Sequence, residues 1–257
     1  MSIRDEFSFK TPEFQSYLHE DIAVIKIKCN VFETITDLAE SGKLLSLIQL
    51  AERIPDVKAL VVLNEPGCMD EEEYDKFLHR ILDRGRDPYA DDEGGGMIQK
   101  VDRVREINVL NRTITHLVEF KKISVMGLQG NIVTPFFGAS LSVDFRYAAE
   151  GMSFSLAHLK YGLHPTGALP FFLPRYVSHS KAIEILFKYE KITAKEALDL
   201  GLVTTILPAA DFENHCLAEI EKLCHLDTRV IHSTKLLANF SRIELRNYFD
   251  VESALLH

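Results

Sequence analysis

The stretch from Lys121 to Gly167 constrains this chain more than any other. Its apolar run from Ile123 to Leu128 reads as a buried strand. A tight loop, a short apolar helix and a second strand ending in Asp144-Phe145-Arg146 follow, and then another loop. Two loops therefore leave one sheet region within about forty residues. In α/β proteins such loops are where chemistry is usually placed.

The same residues carry a resemblance. The segment is similar to the core signature of the crotonase (enoyl-CoA hydratase/isomerase) superfamily. Members typically read K-P-x-I-A-A-V-N-G-x-A-x-G-G-G-x-E-L-x-x-x-C-D-x-R-x-A, then F-x-x-P-E-x-x-x-G-x-x-P-x-x-G. Gly130, Asp144, Arg146, Ala148, Phe154, Gly162 and Pro165 fall in place without a gap, and Gly167 comes one residue early. Downstream, Lys181-Ala182, Ile192-Thr193-Ala194-Lys195-Glu196-Ala197 and Gly201-Leu202-Val203 match the next run of the pattern. The resemblance implies an α/β fold, a crotonase-like β-β-α spiral core with a C-terminal helical segment. It places that core at 1–200 and the helical segment at 201–257, as one domain. It also implies homotrimers, or hexamers built from them, with the C-terminal helices forming the contacts.

Composition sets the outer limits. At 257 residues the chain can bury a sizeable core. Its 38 acids against 29 bases give a formal charge of −9, which argues against a general nucleic-acid binder. The four cysteines, Cys29, Cys68, Cys216 and Cys224, form no C-x-x-C pair and offer no zinc framework. The first residues are polar, with no apolar signal region, and no apolar run approaches a membrane span. A cytoplasmic protein with free thiols, no membrane partner and no metal is expected.

Along the chain, residues 13–18 and 21–29 read as two strands with a turn at Glu20-Asp21. Residues 36–53 carry leucines at helical spacing, and Lys58 to Leu63 reads as a central parallel strand. Asp70 to Glu73 opens a helix, with its acids at the positive end. Residues 86–96 shift in composition and end in Gly94-Gly95-Gly96; this is a loop, since no strand precedes it and no Gly-Lys-Ser follows. A long amphipathic helix is expected over 97–119 and another over 178–189. Thr193-Ala194-Lys195-Glu196 is a capping box, and Gly201 ends the helix it opens. A short strand over 202–207 and helices at about 209–225, 228–239 and 243–256 complete the reading.

The family chemistry rests on two backbone N–H groups that stabilise a thioester enolate; losing one such donor costs on the order of 3 kcal/mol. By resemblance, one donor comes from the loop after the 58–63 strand, where Gly67 or Cys68 is the candidate. The other comes from the G-G-G turn, here Thr134, Pro135 and Phe136. Proline has no N–H, so the expected donor is missing unless a shift of one residue lets Phe136 serve. The first catalytic glutamate position is Gly138 and the second is His158. Hydration uses both acid–base groups, whereas isomerisation needs one base.

His158 is therefore the candidate proton carrier, with a pKa suited to shuttling, and His164 lies on the same loop. Phe136, Phe137 and Leu156 are the candidate walls of an apolar acyl pocket. Ala157 to Gly162 is also similar to the N-F-M-K-Y-G run of decarboxylating crotonases, which act on carrier-bound groups and keep a functional histidine near the C-terminus; His257 closes this chain. Lys235 matches a commonly basic position and is the candidate for the coenzyme A phosphates. The resemblance implies no required cofactor, and an acyl-CoA or acyl-carrier thioester as substrate. It points to isomerase- or decarboxylase-type enolate chemistry or, alternatively, to a catalytically degenerate binder or supporting subunit.

Overall fold

Alternate residues of the central strands enter two different cores. In β3 (Ile22–Ile27), Ile22 and Val24 join one apolar cluster while Ala23, Ile25 and Ile27 join another. Successive side chains of a strand point to opposite faces. A strand covered on both faces must therefore be apolar over most of its length, which is why these segments read as nearly continuous runs, broken in β3 only at Lys26. A computed structural model describes residues 3–29, 31–83 and 95–255. His257 and most of the 86–96 loop lie outside them.

The chain begins with α1 (Ile3–Phe7), β1 (Phe9–Lys10) and β2 (Phe14–His19), and turns into β3 through Glu20 at φ 52°. Two helices, α2 (Val31–Thr36) and α3 (Leu38–Arg53), lead to β4 (Ala59–Asn64). The helix expected over 36–53 is α3, which starts two residues later because Asp37 takes extended backbone and its carboxylate caps the Ala39 and Glu40 N–H groups; α2 before it is not expected from the sequence. Helices α4 (Glu71–Asp83) and α5 (Gly95–Glu119) precede β5 (Ile123–Leu128). Then come β6 (Asn131–Val133), α6 (Thr134–Ser140), β7 (Phe145–Ala149), β8 (Ser153–Ser155), α7 (Leu169–Phe172), α8 (His179–Lys188), β9 (Lys191–Thr193), α9 (Ala194–Asp199) and β10 (Thr205–Leu207). Three helices, α10 (Phe212–Glu221), α11 (Thr228–Ala238) and α12 (Leu245–Ala254), end the described chain.

The main sheet has seven strands in the order β1-β2-β3-β4-β5-β7-β10. The first three are antiparallel neighbours, and from β3 onward the pairing is parallel. A second sheet, β6-β8-β9, stands beside it. Because β10 pairs with β7, the main sheet reaches past residue 200, and the helical segment begins after Leu207.

The Asp144–Arg146 motif opens β7, whereas the sequence reading ends a strand there. Its side chains explain this. Asp144 accepts from the Ser124 N–H and hydroxyl, both at 2.8 Å, which pins the approach to β7 onto β5. Arg146 is buried; it donates to the carbonyls of Leu202 (2.6 Å) and Val143 (2.9 Å) and lies over the Tyr176 ring. The Thr193–Glu196 capping box forms in both directions, and Gly201 takes φ 71° after α9. Among the described residues no helix is long and apolar enough to cross a membrane.

Candidate functional site

The two loops singled out in the sequence meet at the ends of β4 and β5. Asn64 accepts the Gln129 N–H at 3.0 Å and donates to the Gln129 carbonyl at 2.9 Å, while the Gln129 side chain donates to the Asn64 carbonyl. Beyond this tie, Gly67 (φ 88°) and Gly130 (φ 74°) pass so close that a Cβ on Gly130 would lie 3.4 Å from the Gly67 nitrogen. The Val133 N–H then donates to Met69 at 2.8 Å, which sets the start of α6 beside the first loop.

Gly67 and Cys68 thus lie on the loop that is tied to the start of α6, the helix that carries Pro135 and Phe136. The Cys68 N–H donates to the Glu65 carbonyl at 3.4 Å, within its own turn. Its thiol is buried and burial pushes it up to about 12, so it is no thiolate nucleophile. In α6, Val133 at the N-cap gives no side-chain hydrogen bond and Pro135 gives no N–H. The Phe136 ring packs on Phe32 at 5.1 Å, and Phe137 stacks on Phe154 at 3.9 Å. Phe137 and Leu156 are core side chains, and the expected acyl wall is a packed one.

Gly138 has no room for a side chain. A Cβ there would overlap the Gly167 carbonyl oxygen and lie 2.8 Å from the Leu169 nitrogen. A Cβ on Gly167, itself at φ 72°, would in turn meet the Pro135 carbonyl. Backbone of the 167–169 segment therefore fills the position where the family pattern carries its first glutamate.

His158 sits beside α6, as expected, but both ring nitrogens are engaged. Nδ1 lies 3.2 Å from the Thr134 hydroxyl and Nε2 3.1 Å from the Leu186 carbonyl. A carbonyl only accepts, so Nε2 carries the proton, and the single Thr134 hydroxyl proton is shared between Nδ1 and the Ser155 carbonyl, also at 3.2 Å. Burial holds its pKa below the ordinary histidine value; the Leu186 carbonyl opposes this and nearby His164 adds to it. The ring joins α6 to α8 as a neutral group and offers no open nitrogen. Lys235, expected at the coenzyme A phosphates, is turned inward. Its ammonium lies 2.7 Å from Asp144 and donates to the Lys122 carbonyl, also at 2.7 Å. Its charge balances the Asp144 carboxylate of the sheet.

The sequence reading missed a set of buried polar groups on α5 and α12. Glu106 is fully buried and Arg103 holds it at 2.5 Å. Glu252 is 3 % exposed and accepts from the Ala168 N–H and the Tyr248 hydroxyl. A signal existed for the second: Leu245, Tyr248 and Glu252 follow one another at three and four residues, so Glu252 falls on the buried stripe of α12.

Comparison with known proteins follows this geometry. The family model described as enoyl-CoA hydratase/isomerase matches residues 96–257. A probable enoyl-CoA hydratase of Bacillus subtilis (strain 168) is 29% identical over 145 residues, 54% of this chain and 55% of that protein. The chromodomain Y-like protein of Mus musculus is 25% identical over 164 residues, 60% of this chain but 27% of that protein. The chain thus spans about half or less of the length of these relatives. The crystal structure of enoyl-CoA hydratase from Bacillus halodurans superposes with a TM-score of 0.76 at 19% identity, covering 95% of this chain and 93% of that one.

Proposed function

Since the chain belongs to the enoyl-CoA hydratase/isomerase family, we propose that it binds an acyl thioester and performs isomerase- or decarboxylase-type enolate chemistry instead of hydration. The observation that carries this is Gly138. Hydration takes two acid–base groups, one for the proton and one for the water. Backbone occupies the first position, and the second holds a histidine bonded at both nitrogens. Enolate chemistry requires only one proton carrier and a stabilised carbonyl oxygen. The Gly67 loop, tied to the start of α6 by the Val133–Met69 hydrogen bond, and the Phe136 N–H are the candidates to supply the latter.

A second reading is favoured by Pro135 and the Cys68 N–H. With one donor absent and the other turned into its own loop, the fold serves as an acyl-thioester binder or supporting subunit without turnover. Assembly belongs to the same proposal: homotrimers or hexamers through the C-terminal helices, where Leu236, Leu237 and Phe240 are exposed.

Titration calorimetry with acetyl-CoA, crotonyl-CoA and free CoA tests the proposal. Affinity that rises with the acyl group, together with no hydration of crotonyl-CoA, is the expected result. Measurable hydration, or no binding of any of the three, would sink it. Binding without isomerase or decarboxylase turnover would select the binder reading.

A further inference from the structure

Two buried carboxyl groups stand between α4, α5, the 166–168 segment and α12. Each has one oxygen anchored and one buried without a hydrogen-bond partner among the described residues. Arg103 holds Oε2 of Glu106 and reaches the Tyr74 hydroxyl at 3.4 Å. Oε1 of Glu252 accepts from the Ala168 N–H at 3.3 Å and the Tyr248 hydroxyl at 3.2 Å. Oε1 of Glu106 and Oε2 of Glu252 have no hydrogen-bond partner among the described residues, nor does Oδ1 of Asn111. Leaving a buried polar atom unpaired costs its full desolvation. Several in one place need a reason, and a functional role is one of the few available.

The backbone adds an independent observation. Ala168 takes φ 55°, directly after Gly167 at φ 72°. In a left-handed alanine the Cβ crowds the following carbonyl oxygen, so the conformation is disfavoured. Strain of this kind persists where the surroundings impose it, and such places are commonly functional. The two groups of a trans peptide point opposite ways. The Gly167 carbonyl therefore faces Gly138 while the Ala168 N–H faces Glu252. Glu252 stands one peptide plane away from the filled glutamate position. On the same side, Phe32 packs against both Tyr74 (5.2 Å) and Phe136 (5.1 Å), so one ring separates the cluster from α6.

Charge balance points the same way. Arg103 bears on both acids, and one guanidinium balances one carboxylate. Burial raises the pKa of Glu252 above the ordinary carboxyl range; the Ala168 N–H, Tyr248, Asn111 and Arg103 act against it. Burial likewise raises Glu106, opposed by Arg103. A carboxyl anchored by one oxygen, unpaired at the other and shifted toward neutrality suits general acid–base work.

We propose that Glu252 is the proton-transfer group of this chain, acting on the carbon beside the carbonyl of a bound acyl thioester. The inference rests on the acyl-thioester reading above. In the step, the Glu252 carboxylate takes a proton from that carbon. The C–H pair becomes the C=C bond of the enolate, and the carbonyl π pair moves onto oxygen. Return of a proton from the same carboxyl restores the thioester. In D2O the carboxyl exchanges with solvent between the two halves, so the net change is one hydrogen replaced by deuterium.

The test uses the full chain with butyryl-CoA, measuring affinity by calorimetry and deuterium uptake by mass spectrometry. Unmutated protein is expected to bind and exchange. Glu252→Gln is expected to bind within about threefold and to exchange at least about a hundredfold more slowly, the size of a general-base contribution. If Glu252→Gln melts early, Tyr248→Phe keeps the carboxyl and removes one anchor; slower exchange at unchanged affinity is expected. Binding without exchange in unmutated protein overturns the role of Glu252, as does unchanged exchange in either variant, and both leave the acyl-thioester reading standing. Failure of unmutated protein to bind butyryl-CoA overturns both together.

Discussion

His158 shows how one residue takes a structural part in a catalytic position. An exposed histidine loses its proton near pH 6.5, and burial holds His158 below that value. As pH falls through this range, the unfolded chain protonates first, so the native state loses stability until the folded pKa is passed; above about pH 6.5 the full contribution is present. Replacing His158 by glutamine removes that dependence. The stability difference between unmutated protein and His158→Gln, from urea titrations, is expected to be about 1–3 kcal/mol near pH 8 and to narrow toward pH 5. A difference that stays flat with pH would show that the ring titrates in the fold as it does in the open chain. The residue types at 135, 138 and 158 were readable in the sequence, including the loss of an N–H at Pro135. The partners were not. Thr134 and Leu186 reach the His158 ring from separate elements, and no local pattern announces such a meeting.

At the scale of elements, the contact of α6 with the start of α7 decides what the site can hold. Backbone meets backbone there, with glycine on both sides. Overpacking a core position commonly costs about 1–3 kcal/mol, occasionally more, and rigid main chain cannot swing aside as a side chain can. Gly138→Ala is expected to lower the melting temperature by several degrees, read by circular dichroism. Melting equal to the unmutated protein would mean that the 167–169 segment yields. Most elements were legible because their signals are local: alternation in β2 and β3, continuous apolar runs in β4 and β5, the Thr193 box of α9. The small sheet was not. Its three-residue strands β6, β8 and β9 are too short to carry a period. Nor does sequence favour the left-handed Ala168 that closes the Gly138 position, since propensity argues against it.

For the molecule as a whole, apolar surface gathers on the C-terminal helices. Leu237 is 77% exposed and Phe240 74%, and Leu236 beside them in sequence and Val251 on α12 are exposed as well. Single exposed leucines are ordinary, but grouped ones mark contact surfaces. Sedimentation velocity is expected to show an oligomer for the unmutated chain and a shift toward monomer for Leu237→Lys with Phe240→Lys. A monomer in both would remove the proposed assembly. The main sheet ends on both sides in its shortest strands, two residues in β1 and three in β10. An open sheet edge is a row of unpaired peptide groups on which another chain can add, and a short edge gives an incoming strand little to grip. Strand-by-strand growth into fibres is thereby discouraged at either margin, which keeps the sheet out of contacts between copies of this chain.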